Sequence, residues 1–244
     1  MSTSYIAVIL LSFLSAITTL IGVSLALCYR KSKKGIAVGI GFSAGIMLVI
    51  SVLELLPEAV ETSNLSSTLA ATVLGAFLIF SLNIIIPHIH YGKEKGKLSW
   101  QVKTAYLIAF GLILHDFPEG FAMANSYIYS PALGWLMAIS IAVHNIPEEF
   151  AMAVPLVLTK KKGALIGLAV LSGLSEPLGA VFGLVACNVA PALNPLFMAF
   201  AAGAMIFVSL HELFPMAKKY KQLSLFTLGI GLSLAVYLGL SFFF

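Results

Sequence analysis

Charged residues are scarce in this sequence. They make up 10% of its 244 residues, whereas 60% are hydrophobic and the mean hydropathy is +1.02. A soluble domain carries roughly 25% charged residues. The deficit argues against an ordinary soluble protein and predicts a membrane protein, in which each spanning helix needs about 20 apolar residues.

Two further features are missing. The sequence has no GxxxxGK[ST] phosphate-binding loop, and the short loops leave no room for a separate soluble domain, so ATP-driven transport by this chain alone is not expected. Its two cysteines, Cys28 and Cys187, are too few for a disulfide framework, and both are expected to be packing residues. The apolar start has no basic segment before it and is interpreted as a retained first span.

Long apolar runs predict an all-α, polytopic membrane protein. Eight transmembrane helices are expected at about 5–28, 35–56, 69–86, 104–125, 133–158, 163–186, 195–214 and 223–244. They form one transmembrane domain over residues 1–244, in a 3+2+3 arrangement. Helices 1–3 cover about 5–86, helices 4 and 5 cover about 104–158, and helices 6–8 cover about 163–244.

The basic residues orient these spans. All 14 lie in odd-numbered connections: Arg30, Lys31, Lys33, Lys34, Lys93, Lys95, Lys97, Lys103, Lys160, Lys161, Lys162, Lys218, Lys219 and Lys221. Positive charge marks the cytoplasmic side, so both termini are expected on the extracytoplasmic side of a cell (inner or plasma) membrane. The net charge of +4 suits loops beside anionic lipid in the bilayer and requires no nucleic-acid partner.

Two pairs of segments repeat internally. AGIMLVISVLELLP at 44–57 matches AGAMIFVSLHELFP at 202–215 in seven of fourteen positions. HDFPEGFAMA at 115–124 matches HNIPEEFAMA at 144–153. The members of each pair lie on helices that cross the membrane in opposite directions, which is typical of the inverted-topology repeats of secondary transporters.

The second pair carries a candidate metal site. His115 and Glu119 are four residues apart, as are His144 and Glu148, so each pair shares one helical face near the bilayer midplane. Ionisable groups at that depth are costly and indicate function. Imidazole and carboxylate groups suit zinc, iron and similar divalent ions, and four such ligands can surround one ion.

A second, oxygen-rich site is expected beside the first. Asp116, Asn145 and Glu176 would supply it, with Glu119 and Glu148 bridging the two sites. Two divalent ions would balance four carboxylates in charge. Pro118 and Pro147 each remove a backbone donor in mid-helix, which favours a bend beside a polar pathway.

The sequence resembles the ZIP (zinc/iron-regulated-transporter-like) family, and its bacterial zinc-uptake branch in particular. The resemblance rests on HDFPEG, HNIPEE, SGLSEP at 172–177, AGIMLVISVLELLP and PHIH at 87–90. It implies eight helices with a binuclear metal centre between helices 4 and 5. It also implies import into the cytoplasm without ATP, by one helix bundle sliding against another, and a homodimer.

The resemblance also assigns ligands. It implies His115, Glu119, His144 and Glu148 at the first site, with Met47 as a candidate weak fifth ligand. The second site would hold Asp116, Glu119, Asn145, Glu148 and Glu176. The family usually has Asn in place of Asp116 and Gly in place of Glu149. Both differences bear on metal preference, and Glu149 is either a site residue or the partner of another helix.

Pathway residues follow from the repeat. Glu54 is expected near the outer face and Glu212 near the cytoplasmic face, with His211 as a second exit ligand. His88 and His90 on a cytoplasmic loop are candidates to receive the ion, although all these groups also suit helix ends that meet water.

The predicted function is therefore secondary transport of divalent transition metals into the cytoplasm. Zinc is the expected substrate and bound ion, with iron, manganese, cobalt or cadmium as further candidates, and no enzymatic activity is expected. An intramembrane metal-dependent enzyme is the alternative, but its HExxH signature is absent. A metal-independent, proton-coupled carrier is a second alternative.

Overall fold

The computed structural model describes residues 2–28, 33–85, 116–157, 162–219 and 221–243, and within them all regular structure is helical. The helices are α1 (Ser2–Cys28), α2 (Lys33–Ile50), α3 (Leu56–Thr62), α4 (Leu65–Ile85), α5 (described over 116–129), α6 (Pro131–Val157), α7 (Lys162–Val189), α8 (Asn194–Val208), α9 (Phe214–Lys219) and α10 (Leu223–Ser241).

Six segments among the described residues are long and apolar enough to cross a membrane. They are Ser4–Cys28, Lys34–Thr62, Leu65–Ile84, Ala169–Val189, Pro191–Leu213 and Leu223–Ser241. Each overlaps one of the predicted spans. The helix α6 is 27 residues long but is not among the six, since His144, Asn145 and two glutamates lower the hydropathy of its centre. The predicted fourth span begins outside the described residues.

Two of the long helices contain a π-helical turn. Ser51–Leu55 joins α2 to α3, and Ser209–Leu213 joins α8 to α9. A proline follows each turn, at Pro57 and Pro215. Because proline has no N–H, the carbonyl four residues earlier has no helical donor, and a wider turn accommodates this. The helical pattern of the sequence does not predict these turns.

The helices pack as two groups. The helix α1 packs against α6 and α7, while α2 packs against α10 and α4 packs against α8. Glycines allow close approach in both groups: a Cβ on Gly75 of α4 would lie 1.9 Å from the Phe200 carbonyl oxygen of α8, and one on Gly179 of α7 would lie 2.0 Å from that of Phe117 in α5. We call α1, α5, α6 and α7 the first bundle and α2, α3, α4, α8, α9 and α10 the second bundle.

The two bundles meet along α2 and α6 and also at one end of α5. Oγ of Ser43 donates to the carbonyl of His144 at 3.0 Å, and the hydroxyl of Tyr129 donates to Oε2 of Glu58 at 2.6 Å. This hydrogen bond, together with partial desolvation and the nearby charges of Glu58 and Glu61, raises the pKa of Tyr129 to about 12. The Tyr129 hydroxyl therefore stays protonated at neutral pH and remains a donor between the bundles.

The surface and the interior differ in polarity in the way a membrane protein requires. Large apolar side chains such as Leu10 on α1, Phe77 on α4 and Phe182 on α7 are exposed. Carboxylates lie inside instead, on α5, α6 and α7. Both cysteines are free, but only Cys187 is buried, so the prediction that Cys28 is a packing residue is wrong.

Candidate metal centre

Three acidic or imidazole side chains meet where α5 faces α6. Glu119 of α5 and His144 and Glu148 of α6 are buried, and each offers one ligand atom within 4.8 Å of the others. His144 and Glu148 are one helical turn apart on the same face, as their spacing predicts. Imidazole and carboxylate groups at this separation can coordinate one divalent transition-metal ion.

The ring of His144 is held in a defined orientation. Its Nδ1 lies 2.9 Å from the carbonyl oxygen of Ser140, and its Nε2 lies 3.1 Å from Oε1 of Glu119. A carbonyl oxygen only accepts hydrogen bonds, so Nδ1 carries the proton of this contact. A backbone acceptor on one ring nitrogen commonly fixes a metal-binding histidine, which leaves Nε2 directed at the ligand position.

Asn145 connects the α6 motif to α1 and α7. Its Nδ2 donates to Oγ of Ser15 at 2.9 Å and to Oε2 of Glu176 at 3.2 Å. Both amide protons are thereby used, and the oxygen Oδ1 is the remaining polar atom of the side chain. Glu176 is fully buried, and its Oε1 has no hydrogen-bond partner among the described residues. These two oxygens are of the type that binds metal ions.

Asp116 and Glu149 meet at a serine. Oγ of Ser172 lies 2.5 Å from Oδ2 of Asp116 and 3.1 Å from Oε1 of Glu149, and Oγ of Ser175 lies 3.3 Å from the same Asp116 oxygen. Asp116 and Glu149 are 3% and 2% exposed. Glu149 is therefore a fifth buried carboxylate, in addition to the four whose charge two divalent ions would balance.

The negative charge of five carboxylates in the interior of the protein needs compensation by positive charge. They are Asp116, Glu119, Glu148, Glu149 and Glu176, each at most 3% exposed. A buried carboxylate without a counter-charge is strongly destabilising. A buried centre of this charge is suited to attract cations, and divalent cations neutralise it with fewer ions than monovalent cations do.

The other predicted residues contact side chains that do not belong to this centre, or they lie outside the described residues. Glu54 accepts a hydrogen bond from the hydroxyl of Tyr237, and Glu212 accepts one from Nδ2 of Asn83 at 3.0 Å. His211 is exposed and stacks on Phe207, with ring centroids 4.7 Å apart. His115, His88 and His90 lie outside the described residues.

Met47 is fully buried, and its Sδ accepts a 3.8 Å contact from Oγ of Ser209. That contact ties α2 to the π-helical turn after α8 and gives the thioether a packing role in this structure.

Sequence reasoning missed the hydroxyl groups that contact the site. Ser15 lies outside the motifs, and Ser172 and Ser175 belong to SGLSEP without an assigned role. One pattern in the sequence relates these helices. A Leu-Ser pair is followed by a glycine seven residues after the serine both at 14–22 and at 171–179. Aligning α1 with α7 would have indicated that the two serines occupy matching positions.

Comparisons with known proteins identify the family to which this chain is similar. The family model described as ZIP Zinc transporter matches residues 86–243. Proteins named Zinc transporter ZupT from Salmonella newport (strain SL254), Salmonella heidelberg (strain SL476) and Salmonella schwarzengrund (strain CVM19633) are each 36% identical to the chain over 222 residues. Each alignment covers 86% of this chain and 86% of the relative. These relatives are named as transporters and not as enzymes.

Proposed function

The chain belongs to the ZIP family of zinc transporters, and on that premise we propose that it carries divalent transition-metal ions, zinc above all, through the bilayer into the cytoplasm. The observation that carries the proposal is the cluster of Glu119, His144 and Glu148, whose ligand atoms lie within 4.8 Å of one another in the interior of a multi-pass membrane protein. Iron, manganese, cobalt and cadmium suit the same donor set and are proposed as further substrates.

The proposed centre is binuclear. Glu119, His144 and Glu148 form the first site together with His115, and Met47 is its candidate fifth ligand. Asp116, Asn145 and Glu176 form the second site, with the two bridging glutamates shared. The buried Oε1 of Glu176, which has no hydrogen-bond partner among the described residues, supports a second ion.

An inverted repeat of eight spans is proposed for the single domain over 1–244. Two matched features support it. The π-helical turns contain Ser51–Leu55 and Ser209–Leu213, which align in the repeat. The glutamate of each turn accepts a hydrogen bond from the helix that packs against its own: Glu54 from Tyr237 of α10, and Glu212 from Asn83 of α4.

The proposed movement is a displacement of the first bundle against the second. The first bundle holds all the buried carboxylates of the centre, so it would carry the ion as a unit. The second bundle holds Glu54 at the proposed outer mouth and Glu212 with His211 at the cytoplasmic mouth, from which His88 and His90 would receive the ion. Both termini are proposed to lie outside the cell, and the chain is proposed to form a homodimer.

Uptake by the purified protein tests the proposal. Proteoliposomes that contain a zinc-sensitive dye should take up zinc when it is added outside. Proteoliposomes with the Glu119→Ala, Glu148→Ala double variant should take up zinc only as slowly as liposomes without protein. Competition with iron, manganese, cobalt and cadmium ranks the substrates. Near-normal uptake by the double variant would overturn the site. A purified wild type without bound metal, and without uptake, would favour a metal-independent carrier.

A further inference from the structure

Ser15 of α1 and Ser172 of α7 both bond side chains of the repeated motif, whereas other hydroxyl residues of α1 bond the backbone of their own helix. Ser12, Thr18 and Ser24 of α1 donate to backbone carbonyls of their own helix. Ser15 instead accepts from the side chain of Asn145, and Ser172 donates to the side chain of Asp116. These two partners follow the two histidines of the repeated motif.

The two contacts have the same construction. In each helix a glycine follows the serine by seven residues, which places both on one face. A Cβ on Gly22 would lie 2.5 Å from the carbonyl oxygen of Ile146, and one on Gly179 would lie 2.0 Å from that of Phe117. Ile146 and Phe117 are matching residues of the two motifs. Each glycine thus brings its helix against a motif helix, and each serine lies two turns away at the residue after the histidine.

Each serine also contacts a second side chain of the centre, which is a glutamate in both cases. The hydroxyl of Ser15 lies beside the carboxylate of Glu176, and Oγ of Ser172 lies 3.1 Å from Oε1 of Glu149. Ser15 therefore links Asn145 to Glu176, and Ser172 links Asp116 to Glu149. Both serines are fully buried, so water does not replace these contacts.

We infer that Ser15 and Ser172 are a repeat-related pair of positioning residues that hold Asn145, Glu176 and Asp116 in place for the second metal ion. The inference rests on the proposed binuclear centre and deepens it. None of the three held side chains belongs to the first site, whereas Glu119 and Glu148 serve both. Loss of either serine should therefore weaken the second ion selectively.

Zinc titration of the full-length protein in lipid nanodiscs tests this. The wild type should bind two ions in two steps. Ser15→Ala and Ser172→Ala should weaken the second step by about 10–100-fold, the usual effect of removing an outer-shell partner, and leave the first step within about twofold. Ser15→Thr and Ser172→Thr keep the hydroxyl and should restore the second step.

Ser12→Ala is the matched control. Ser12 is also fully buried on α1, but its hydroxyl bonds only the carbonyl of Ile9 at 2.8 Å among the described residues, so both steps should be unchanged. Thermal unfolding without metal checks that each variant is folded. Unchanged second-step affinity in both alanine variants, or equal weakening of both steps, would overturn the inference alone. A wild type that binds one ion would overturn the binuclear proposal and the inference with it.

Discussion

Nε2 of His144 lies 3.1 Å from Oε1 of Glu119, and this contact joins α6 to α5 inside the membrane protein. The opposite ring nitrogen is held by the carbonyl of Ser140. An ion that enters between the imidazole and the carboxylate therefore meets a ring whose direction is already set. Little rotamer freedom has to be lost on binding, which favours affinity.

Replacing His144 should remove the first metal ion. His144→Ala deletes a direct ligand, and since outer-shell changes alone cost about 10–100-fold, we expect zinc affinity to fall by at least about 100-fold. Zinc titration in nanodiscs measures this. The control is His211→Ala, because His211 is exposed and stacks on Phe207, so the affinity of the centre should not change. Wild-type zinc affinity in His144→Ala would remove this residue from the site.

Metal preference should depend on Asp116 and Glu149. Together they add two carboxylates around Ser172, and hard oxygen-rich surroundings favour manganese over zinc more than imidazole does. The Asp116→Asn, Glu149→Gly double variant should keep transport but shift competition toward zinc and cadmium and away from manganese. Glu149→Gln keeps the size of the side chain and separates charge from packing. Identical competition profiles for the wild type and the double variant would show that neither residue tunes selectivity.

The sequence predicted the helical class, and it placed Glu119, His144 and Glu148 in one candidate metal site; the ligand atoms of these three residues lie within 4.8 Å of one another. Helical spacing alone places His144 and Glu148 on one face. It could not predict which side chains would hold Asn145 and Asp116, because Ser15 and Ser172 lie on other helices and come close only through packing. The π-helical turns were missed for a related reason: a proline predicts an interruption but not its form.

Substitutions at the mouths should reduce uptake only in part. Glu54 and Glu212 are half-buried and bonded to Tyr237 and Asn83, and water can still solvate an ion at a helix end. Glu54→Ala and the His211→Ala, Glu212→Ala double variant should lower the uptake rate several-fold, while zinc titration shows the central ions still bound. Complete loss of uptake in Glu54→Ala would place this residue in the essential site.

Cysteine labelling tests which side of the membrane each proposed mouth faces. In a Cys28→Ser background, which removes the exposed native thiol, Glu54→Cys should react with an impermeant thiol reagent added outside whole cells. Glu212→Cys should react only when the reagent reaches the cytoplasmic side, as in inverted vesicles. The opposite pattern would overturn the proposed orientation and the import direction.

The hydrogen bond between Tyr129 and Glu58 should stabilise the arrangement of the bundles seen here. It joins α5 of the first bundle to α3 of the second at 2.6 Å. Tyr129→Phe removes it, and a hydrogen bond of about 0.5–1.5 kcal/mol corresponds to a roughly two- to tenfold shift in the equilibrium between arrangements. Tyr5→Phe is the matched control, because the 3.4 Å contact of Tyr5 with Asn188 lies within the first bundle.

Distances between spin labels on the two bundles measure this shift. Glu61→Cys on α3 and Ala132→Cys on α6 are exposed positions, and Cys28→Ser removes the competing thiol. Tyr129→Phe should broaden the distance distribution or move it to a second population and change the uptake rate, whereas Tyr5→Phe should leave both as in the wild type. Because the pKa of Tyr129 is raised to about 12, the wild-type distribution should stay the same between pH 6 and about pH 9. If Tyr129→Phe matches the wild type in both distance and uptake, the bond does not restrain the bundles.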